Sequence, residues 1–197
     1  NYTGKKYISP FKFCETLGDL LSNDTNIIPC SSGGAFTSSM QVLKKRTGQT
    51  VISNKALASM GYGLSGAIGV AIAEPDKNVI LLEGDGGFLQ NMQELGTAKV
   101  NNLNIKIIIY NDNGYSSIRV TQKNYFGGDY IGCDVNTGLG MPDFRKLAES
   151  FGIKFYKITP EIFKNKKRLS KILNQNELSL IVVPVSYTHL TLPTTPY

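Results

Sequence analysis

The chain has 197 residues, of which 41% are hydrophobic and 18% charged, so it has the composition of a folded domain rather than of a disordered or collagen-like chain. Its formal net charge is +6, but the basic cluster at residues 164–171 shares a helical pattern with apolar residues and therefore predicts a solvated helix face. No apolar run approaches the roughly 20 residues that cross a membrane, and residues 1–10 lack the pattern of a signal peptide. We therefore expect a cytoplasmic protein that binds neither nucleic acid nor membranes.

Six short runs of apolar and β-branched residues predict β-strands. In chain order they occupy residues 26–29, 50–53, 79–83, 106–110, 154–158 and 179–183. The runs are continuously apolar rather than alternating, a pattern typical of parallel strands that are covered on both faces. Because helical patterns separate these runs, we predict an α/β fold: a doubly wound, mainly parallel six-stranded sheet with helices on both faces.

Apolar spacing and prolines locate helices between the strands. Helical spacing after the third strand is shown by three residues: Phe88, Met92 and Leu95. Pro142 and Pro160 stand where a first helical turn is expected to begin, and Thr159 is the predicted N-cap of the second of these helices. The sequence therefore predicts one helix after the third strand and one starting near each proline.

Residues 1–184 show no internal boundary and are predicted to form one domain. Within it, the long stretch 111–140 is rich in Gly, Asn and Tyr and is predicted to be an irregular loop, functional or mobile. Residues 185–197 contain four Thr, two Pro and no charged residue, and they resemble the translation of a sequencing adapter. We therefore expect a non-native tail, and because it contains His189, the only histidine, we expect no mechanism that needs imidazole.

Two acidic motifs follow neighbouring predicted strands. Gly-Asp-Gly-Gly at residues 84–87 follows the third strand, and Asn-Asp-Asn-Gly at residues 111–114 follows the fourth. The carboxyl ends of parallel strands meet at one edge of a sheet, so Asp85 and Asp112 are expected to share a cation, for which hard oxygen ligands favour Mg²⁺. The glycines would let backbone N–H groups approach phosphates. Either motif alone is more typical of a simple turn, but the apolar run before Asn111 argues against a hairpin there.

The spacing of these motifs, GDG-x24-ND, resembles the diphosphate-anchoring signature of thiamine diphosphate enzymes. The resemblance continues through Ala-Ser-Met-Gly-Tyr-Gly at 58–63, Gln-Glu-Leu at 93–95, Tyr115 and Pro-Asp-Phe at 142–144. It covers most of residues 10–184 and is closest to the C-terminal, diphosphate-binding domain of acetolactate-synthase-like members. The fold implied is therefore the thiamine diphosphate-binding fold.

This resemblance implies a set of ligands for thiamine diphosphate and Mg²⁺. The metal would be held by the side chains of Asp85 and Asp112 and by the carbonyl of Gly114. The residues implied in cofactor binding are Ala58, Met60, Gly84, Gly86, Gly87, Asp112, Gly114 and Tyr115. Met60 would hold the cofactor in a bent shape, and the Ala58 carbonyl would accept a hydrogen bond from its aminopyrimidine amino group, which could then remove the C2 proton without a histidine. Taken alone, Met60 is better explained as a filler of the core.

The activity implied is decarboxylation of a 2-oxo acid, with or without transfer of the resulting carbanion to an acceptor as in acetolactate synthase. The resemblance also implies a homo-oligomer in which a separate pyrimidine-binding domain, too large for this chain, supplies an activating glutamate. Acetolactate synthases typically carry Gln-Trp-Gln where residues 120–122 read Val-Thr-Gln and Gln-His where residues 34–35 read Gly-Ala, so the acceptor pocket is expected to differ.

Two positions of the resemblance leave open questions. Asp112 stands where the family usually has Asn, and the extra negative charge would tighten metal binding but disfavour the diphosphate. Arg119 matches a family arginine and is either a ligand for a substrate carboxylate or a solvated loop residue.

Two other classes of function compete with this interpretation. Residues 61–66 match G-x-G-x-x-G, and Glu83 ends a strand 22 residues after Gly61, as in an NAD-binding dehydrogenase domain. That fingerprint should follow its strand directly, but residues 54–60 intervene, so the glycines are better explained by close helix packing. The third class is a non-catalytic relative that keeps the fold as part of an assembly.

Overall fold

The computed structural model describes residues 6–29 and 32–186, which form a sheet of six parallel strands. The strands are β1 (Thr25–Pro29), β2 (Thr50–Val51), β3 (Asn78–Gly84), β4 (Ile105–Asn111), β5 (Lys154–Lys157) and β6 (Ser179–Pro184). They lie in the order β2-β1-β3-β4-β6-β5, and each neighbouring pair is parallel. The predicted doubly wound, parallel sheet is confirmed. Its edge strand β2 has two residues, whereas four were predicted at residues 50–53.

Helices cover both faces of the sheet. They are α1 (Pro10–Leu20), α2 (Gly33–Val42), α3 (Tyr62–Ala73), α4 (Asp85–Leu89), α5 (Leu95–Val100), α6 (Ser116–Tyr125), α7 (Phe144–Ser150), α8 (Pro160–Lys164) and α9 (Lys166–Leu173). The single helix predicted from Phe88, Met92 and Leu95 is divided between α4, a 3-10 turn at Met92–Glu94 and α5. In the part of the chain described, no helix combines the length and apolarity that a membrane span requires.

Alternate residues of the central strands enter two separate cores. Ile107 and Ile109 of β4 pack in the core beneath α3, α5 and α7, whereas Ile108 and Tyr110 pack in the core beneath α1, α2 and α9. Burial on both faces explains why these strands read as continuously apolar runs.

Side-chain caps set the starts of α7 and α8. Thr159 accepts a hydrogen bond from the Ile162 N–H at 3.3 Å, which confirms the predicted cap in front of Pro160. The start predicted at Pro142 is wrong, because Asp143 caps α7 by accepting the N–H of Arg145 at 2.9 Å, so that the helix begins at Phe144.

The stretch 111–140 is only partly irregular, and its prediction as one long loop is wrong. It contains the ten-residue helix α6, whose sole buried residue is the charged Arg119. Helix α6 is mainly polar and buries no apolar side chain, so it lacks the apolar face by which core-facing helices are predicted. The irregular remainder is joined to the turn after β4 by an isolated bridge between Gly114 and Asp134.

The described chain remains packed slightly beyond the predicted domain end. Val185, which begins the predicted tail, is buried, and its N–H donates to the Asn111 carbonyl at 3.0 Å. Residues 187–197, including His189, lie outside the described residues. The boundary at residue 184 and the foreign origin of the tail therefore stay predictions.

Candidate functional site

A cavity of about 260 Å³ opens at the carboxyl edge of the sheet, where the loops after β1, β3 and β4 meet the segment before α3. Its wall includes all eight residues that the sequence analysis implicates in cofactor binding: Ala58, Met60, Gly84, Gly86, Gly87, Asp112, Gly114 and Tyr115. Three distant parts of the chain are thus brought to one place, although the role of each residue stays a prediction.

Asp85 joins the two acidic motifs. Its carboxylate is 1% exposed, and Oδ2 accepts hydrogen bonds from the N–H groups of Asp112 (3.1 Å), Asn113 (2.7 Å) and Gly114 (3.2 Å). The other oxygen, Oδ1, accepts the Gly86 N–H at 2.7 Å. The Asp85 side chain, just after β3, therefore holds the turn that follows β4, which is the proximity expected from parallel strands.

The two aspartates oppose each other's ionisation. Burial and, to a smaller extent, the neighbouring Asp112 carboxylate together raise the pKa of Asp85 to about 7. Burial also raises the pKa of Asp112 to about 6, although the Arg119 guanidinium acts in the opposite direction. A divalent cation between two such groups would relieve this cost by favouring both charged forms.

The donor set fits Mg²⁺ in its chemistry. Two carboxylates and one backbone carbonyl are hard oxygen ligands, and Mg²⁺ commonly completes its shell with phosphate oxygens and water. Within residues 6–29 and 32–186, no group of three or more His, Cys, Asp or Glu side chains is arranged to hold a metal. The predicted set has two such side chains, so any further ligands must come from the backbone, water or a bound anion.

Glycines shape the wall of the cavity. A Cβ at Gly86 would overlap the Tyr115 ring, and at Gly114, where φ is +152°, it would overlap the Cys133 carbonyl. A Cβ at Gly84 would meet nothing within 4 Å, so the backbone there is open to a ligand. A backbone that lets a ligand approach closely suits a diphosphate.

The segment before α3 presents Ala58 and Met60 to the cavity. Met60 is 42% exposed, so its interpretation as a filler of the core is wrong. Ala58 has φ of +51°, in the left-handed region that non-glycine residues rarely adopt. The segment is held at Gly61, whose carbonyl accepts the Asn91 side-chain amide at 3.4 Å.

Glu83 is a site residue that the cofactor prediction missed. It lines the cavity but is almost fully buried, and its Oε2 has no hydrogen-bond partner. Burial raises the pKa of Glu83 to about 8. The available signal was a glutamate at the end of a purely apolar strand, immediately before the Gly-Asp-Gly turn.

The surroundings of Glu83 also bear on the dinucleotide hypothesis. A Cβ at Gly63 would lie 2.8 Å from Glu83 Oε2 and 2.8 Å from a Leu81 methyl, so this glycine permits close packing of α3 on β3. The buried Glu83 carboxyl does not stand free to bind a ribose. Ten residues separate β2 from α3, unlike the direct strand-to-helix turn of a dinucleotide fingerprint.

The start of α2 also lines the cavity, through Ser32, Gly33, Gly34 and Ala35. Gly34 and Ala35 are the positions at which the resemblance implied a different acceptor pocket. The interpretation of Arg119 as a solvated loop residue is wrong, because Arg119 is buried and forms an ion pair with Asp112. The place of the α2 start in the cavity wall depends on which strands are neighbours, which chain order alone does not tell.

Comparison with known proteins agrees with this geometry. A family described as "Thiamine pyrophosphate enzyme, C-terminal TPP binding domain" matches residues 32–183. A protein of Methanococcus aeolicus named "Probable acetolactate synthase large subunit" is 38% identical over 142 residues, which are 72% of this chain and 23% of that protein. The acetolactate synthase large subunit of Pyropia yezoensis is 44% identical over 107 residues, 54% of this chain and 18% of that protein. The chain thus spans less than a quarter of the length of these relatives.

A solved structure shows the same fold. The thiamine diphosphate-dependent 4-hydroxybenzoylformate decarboxylase of Rhodococcus jostii RHA1 superposes with a TM-score of 0.79 and 24% sequence identity. The match covers 96% of this chain and 34% of that one. This likeness confirms the predicted α/β fold.

Proposed function

The chain belongs to the thiamine pyrophosphate enzyme family, as its C-terminal TPP-binding domain, and we propose that its cavity binds thiamine diphosphate together with Mg²⁺. The observation that carries this proposal is that all eight implicated cofactor residues line one cavity. The raised pKa values of Asp85 and Asp112 add support, because two buried carboxylates with this repulsion favour a cation between them.

Each part of the cavity has a separate task in this proposal. Asp85, Asp112 and the Gly114 carbonyl would hold the metal, while the backbone at Gly86 and Gly87 would receive the diphosphate. Met60 and the Ala58 carbonyl would hold the organic part of the cofactor. When bound, thiamine diphosphate supplies a nucleophilic carbon and an electron sink for decarboxylation.

The reaction we propose for the complete protein is decarboxylation of a 2-oxo acid, with or without transfer to an acceptor. Relatives up to 44% identical are named acetolactate synthases, which supports this reaction. The proposed chemistry also needs no histidine, and the only histidine of the sequence, His189, lies in the predicted tail. The acceptor is left open, because the wall at Gly34 and Ala35 differs from the Gln-His pair of acetolactate synthases.

We further propose that a pyrimidine-binding domain outside this chain completes the site, in an oligomer. Large apolar side chains at or beside the cavity mouth support a covering surface: Leu57 is 76% exposed, and Met60 and Ile118 are also exposed. The chain alone should therefore not turn over substrate, because the activating glutamate and the exclusion of water depend on that domain.

Titration calorimetry of the complete protein tests cofactor choice. Thiamine diphosphate should bind in the presence of Mg²⁺ and lose affinity in EDTA, whereas NAD⁺ should not bind. Binding of NAD⁺ without binding of thiamine diphosphate would instead support the dehydrogenase hypothesis.

A second assay tests catalysis. Pyruvate decarboxylation is measured for the complete protein and for residues 1–184, each with saturating thiamine diphosphate and Mg²⁺. Turnover by the fragment would refute the need for a second domain. Tight cofactor binding by a complete protein that turns over none of a panel of 2-oxo acids would support the non-catalytic alternative.

A further inference from the structure

Arg119 lies where three segments of the site meet. Its Nη1 donates to the Asn113 carbonyl at 3.2 Å, and Nη2 donates to the Asp112 carbonyl at 3.1 Å and to the Asp112 carboxylate. The Asp134 carboxylate lies 3.9 Å from Nη1. One guanidinium on α6 thus contacts the turn after β4 and the irregular segment beyond α6.

The ion pair with Asp112 is withdrawn from water. The side chains of Arg119 and Asp112 are 5% and 6% exposed, respectively. A buried carboxylate is costly unless a charged partner and hydrogen bonds compensate it, and losing one partner of a buried pair costs about 3–5 kcal/mol. Removing Arg119 alone would therefore leave an uncompensated negative charge in the wall of the cavity.

Arg119 and Asp85 hold the same turn from opposite sides. Asp85 accepts the N–H groups of residues 112–114, while Arg119 donates to the carbonyls of Asp112 and Asn113. The turn needs such support, since Asn113 has φ of +62° and Gly114 has φ of +152°. Loss of the guanidinium would therefore release one side of this turn.

We propose that Arg119 is a positioning residue, which offsets the charge of Asp112 and fixes the Asp112–Gly114 turn before any cation or cofactor binds. The effect of Arg119 on cofactor affinity rests on the proposed function, whereas the effect of Arg119 on the turn does not. The guanidinium is engaged by the protein itself, and this gives Arg119 a task other than holding a substrate carboxylate.

Three variants of the complete protein separate charge compensation from general damage. They are Arg119→Met, Asp112→Asn and the double variant. Arg145→Met is the matched control, because Arg145 is exposed on α7 and its guanidinium stacks on Phe155, 4.7 Å from the ring centroid. If Arg119 compensates Asp112, neutralising Asp112 should repair much of the damage done by Arg119→Met.

The first measurement is hydrogen exchange of the Asn113 amide in EDTA without cofactor. Arg119→Met should speed this exchange at least tenfold, and Arg145→Met should match the wild type. The double variant should recover part of the protection, because the Asp112 charge is removed while the two carbonyl hydrogen bonds stay lost. Exchange unchanged within twofold in Arg119→Met, or equally fast in the single and double variants, would overturn the proposal. If Arg119→Met does not fold, Arg119→Lys serves instead, with partial loss of protection expected because lysine lacks the two-pronged geometry.

The second measurement is thiamine diphosphate affinity with Mg²⁺. Arg119→Met should weaken binding at least tenfold, while the double variant should lie within threefold of Asp112→Asn alone. Independent, additive losses would contradict charge compensation. If the wild type binds no thiamine diphosphate, the proposed function fails, and the exchange measurement still decides the role of Arg119.

Discussion

The two edges of the sheet both bury charged side chains, but they treat them differently. At the amino edge, the Lys106 ammonium donates to the Asn104 side chain at 2.5 Å, the Glu177 carbonyl at 2.8 Å and the Asn78 side chain at 3.5 Å. Its three donors meet three acceptors within the protein. The ammonium therefore has no hydrogen-bond donor left for a ligand.

At the carboxyl edge the buried charges are left incompletely satisfied. Glu83 Oε2 has no partner, and Asp85 and Asp112 raise the free energy of each other's charged form. Positive backbone angles at Ala58 and Asn113 add local strain on the same edge. The comparison teaches that the two edges differ in whether their buried charged groups are satisfied within the protein, and not in whether they bury charge.

The largest expected effect comes from Asp85→Ala. The variant removes one predicted metal ligand and frees three N–H groups of the turn after β4, so thiamine diphosphate affinity with Mg²⁺ should fall at least 100-fold. Calorimetry on the complete protein measures it. Asp143→Ala, which removes only the cap of α7, is the control and should leave affinity unchanged. Affinity within threefold of the wild type in Asp85→Ala would contradict the metal site.

Glu83→Gln tests whether ionisation of the buried Glu83 carboxyl destabilises the folded protein. Because the folded pKa is about 8 and the ordinary value is 4.5, the folded state favours the protonated form, and stability is lost as pH rises through this interval. Gln has nearly the same shape and does not titrate. Relative to the variant, the wild type should therefore lose on the order of 3 kcal/mol of unfolding free energy between pH 5 and pH 8.

Denaturant unfolding of the wild type and of Glu83→Gln at pH 5 and at pH 8 measures this loss of unfolding free energy. The other acidic groups contribute equally to both proteins, so the difference isolates Glu83. Parallel pH profiles for wild type and Glu83→Gln would show that Glu83 ionises freely in the folded chain.

Lys106→Met probes the amino edge. The variant keeps the length of the side chain but leaves three acceptors without their donor, at a cost of about 1–3 kcal/mol of unfolding free energy. Cofactor affinity should stay within twofold of the wild type. A loss of affinity with no loss of stability would remove the distinction between the two edges.

The smallest effect is expected from Ala58→Gly. Glycine adopts the left-handed conformation at φ of +51° without the penalty of a Cβ, but it also gains entropy in the unfolded chain, so the net stabilisation should be about 0.5–1 kcal/mol. Ala67→Gly, within the regular turns of α3, is the control and should destabilise the protein. Equal destabilisation by both variants would show that the left-handed position carries no strain.

The sheet could be predicted from sequence because its cause is local. The run of apolar residues in β3 and β4 is long enough to show burial on both faces, and the motifs that follow these strands lie at one edge by the geometry of parallel strands. That is why the amino-acid sequence alone is enough to pair Asp85 with Asp112.

The packing of α6, the start of α7 and the burial of Glu83 depend on contacts that the apolar pattern of the sequence does not show. Helix α6 packs through Arg119 instead of an apolar stripe, and α7 begins where the Asp143 side chain meets free N–H groups rather than at the nearby proline. The burial of Glu83 follows from its position under Gly63, which only the packing of α3 on β3 reveals.

The strand order has a consequence for how binding can change without loss of the fold. From β1 the chain runs outward to β2, whereas from β3 it runs the other way to β4, and α2 and α4 leave to opposite faces of the sheet. A crevice between β1 and β3 is therefore a product of chain direction, independent of the side chains that line it. Under the proposed function, replacing the loop after β1 would change which substrate fits, while the acidic turns after β3 and β4 would still bind the same metal and diphosphate.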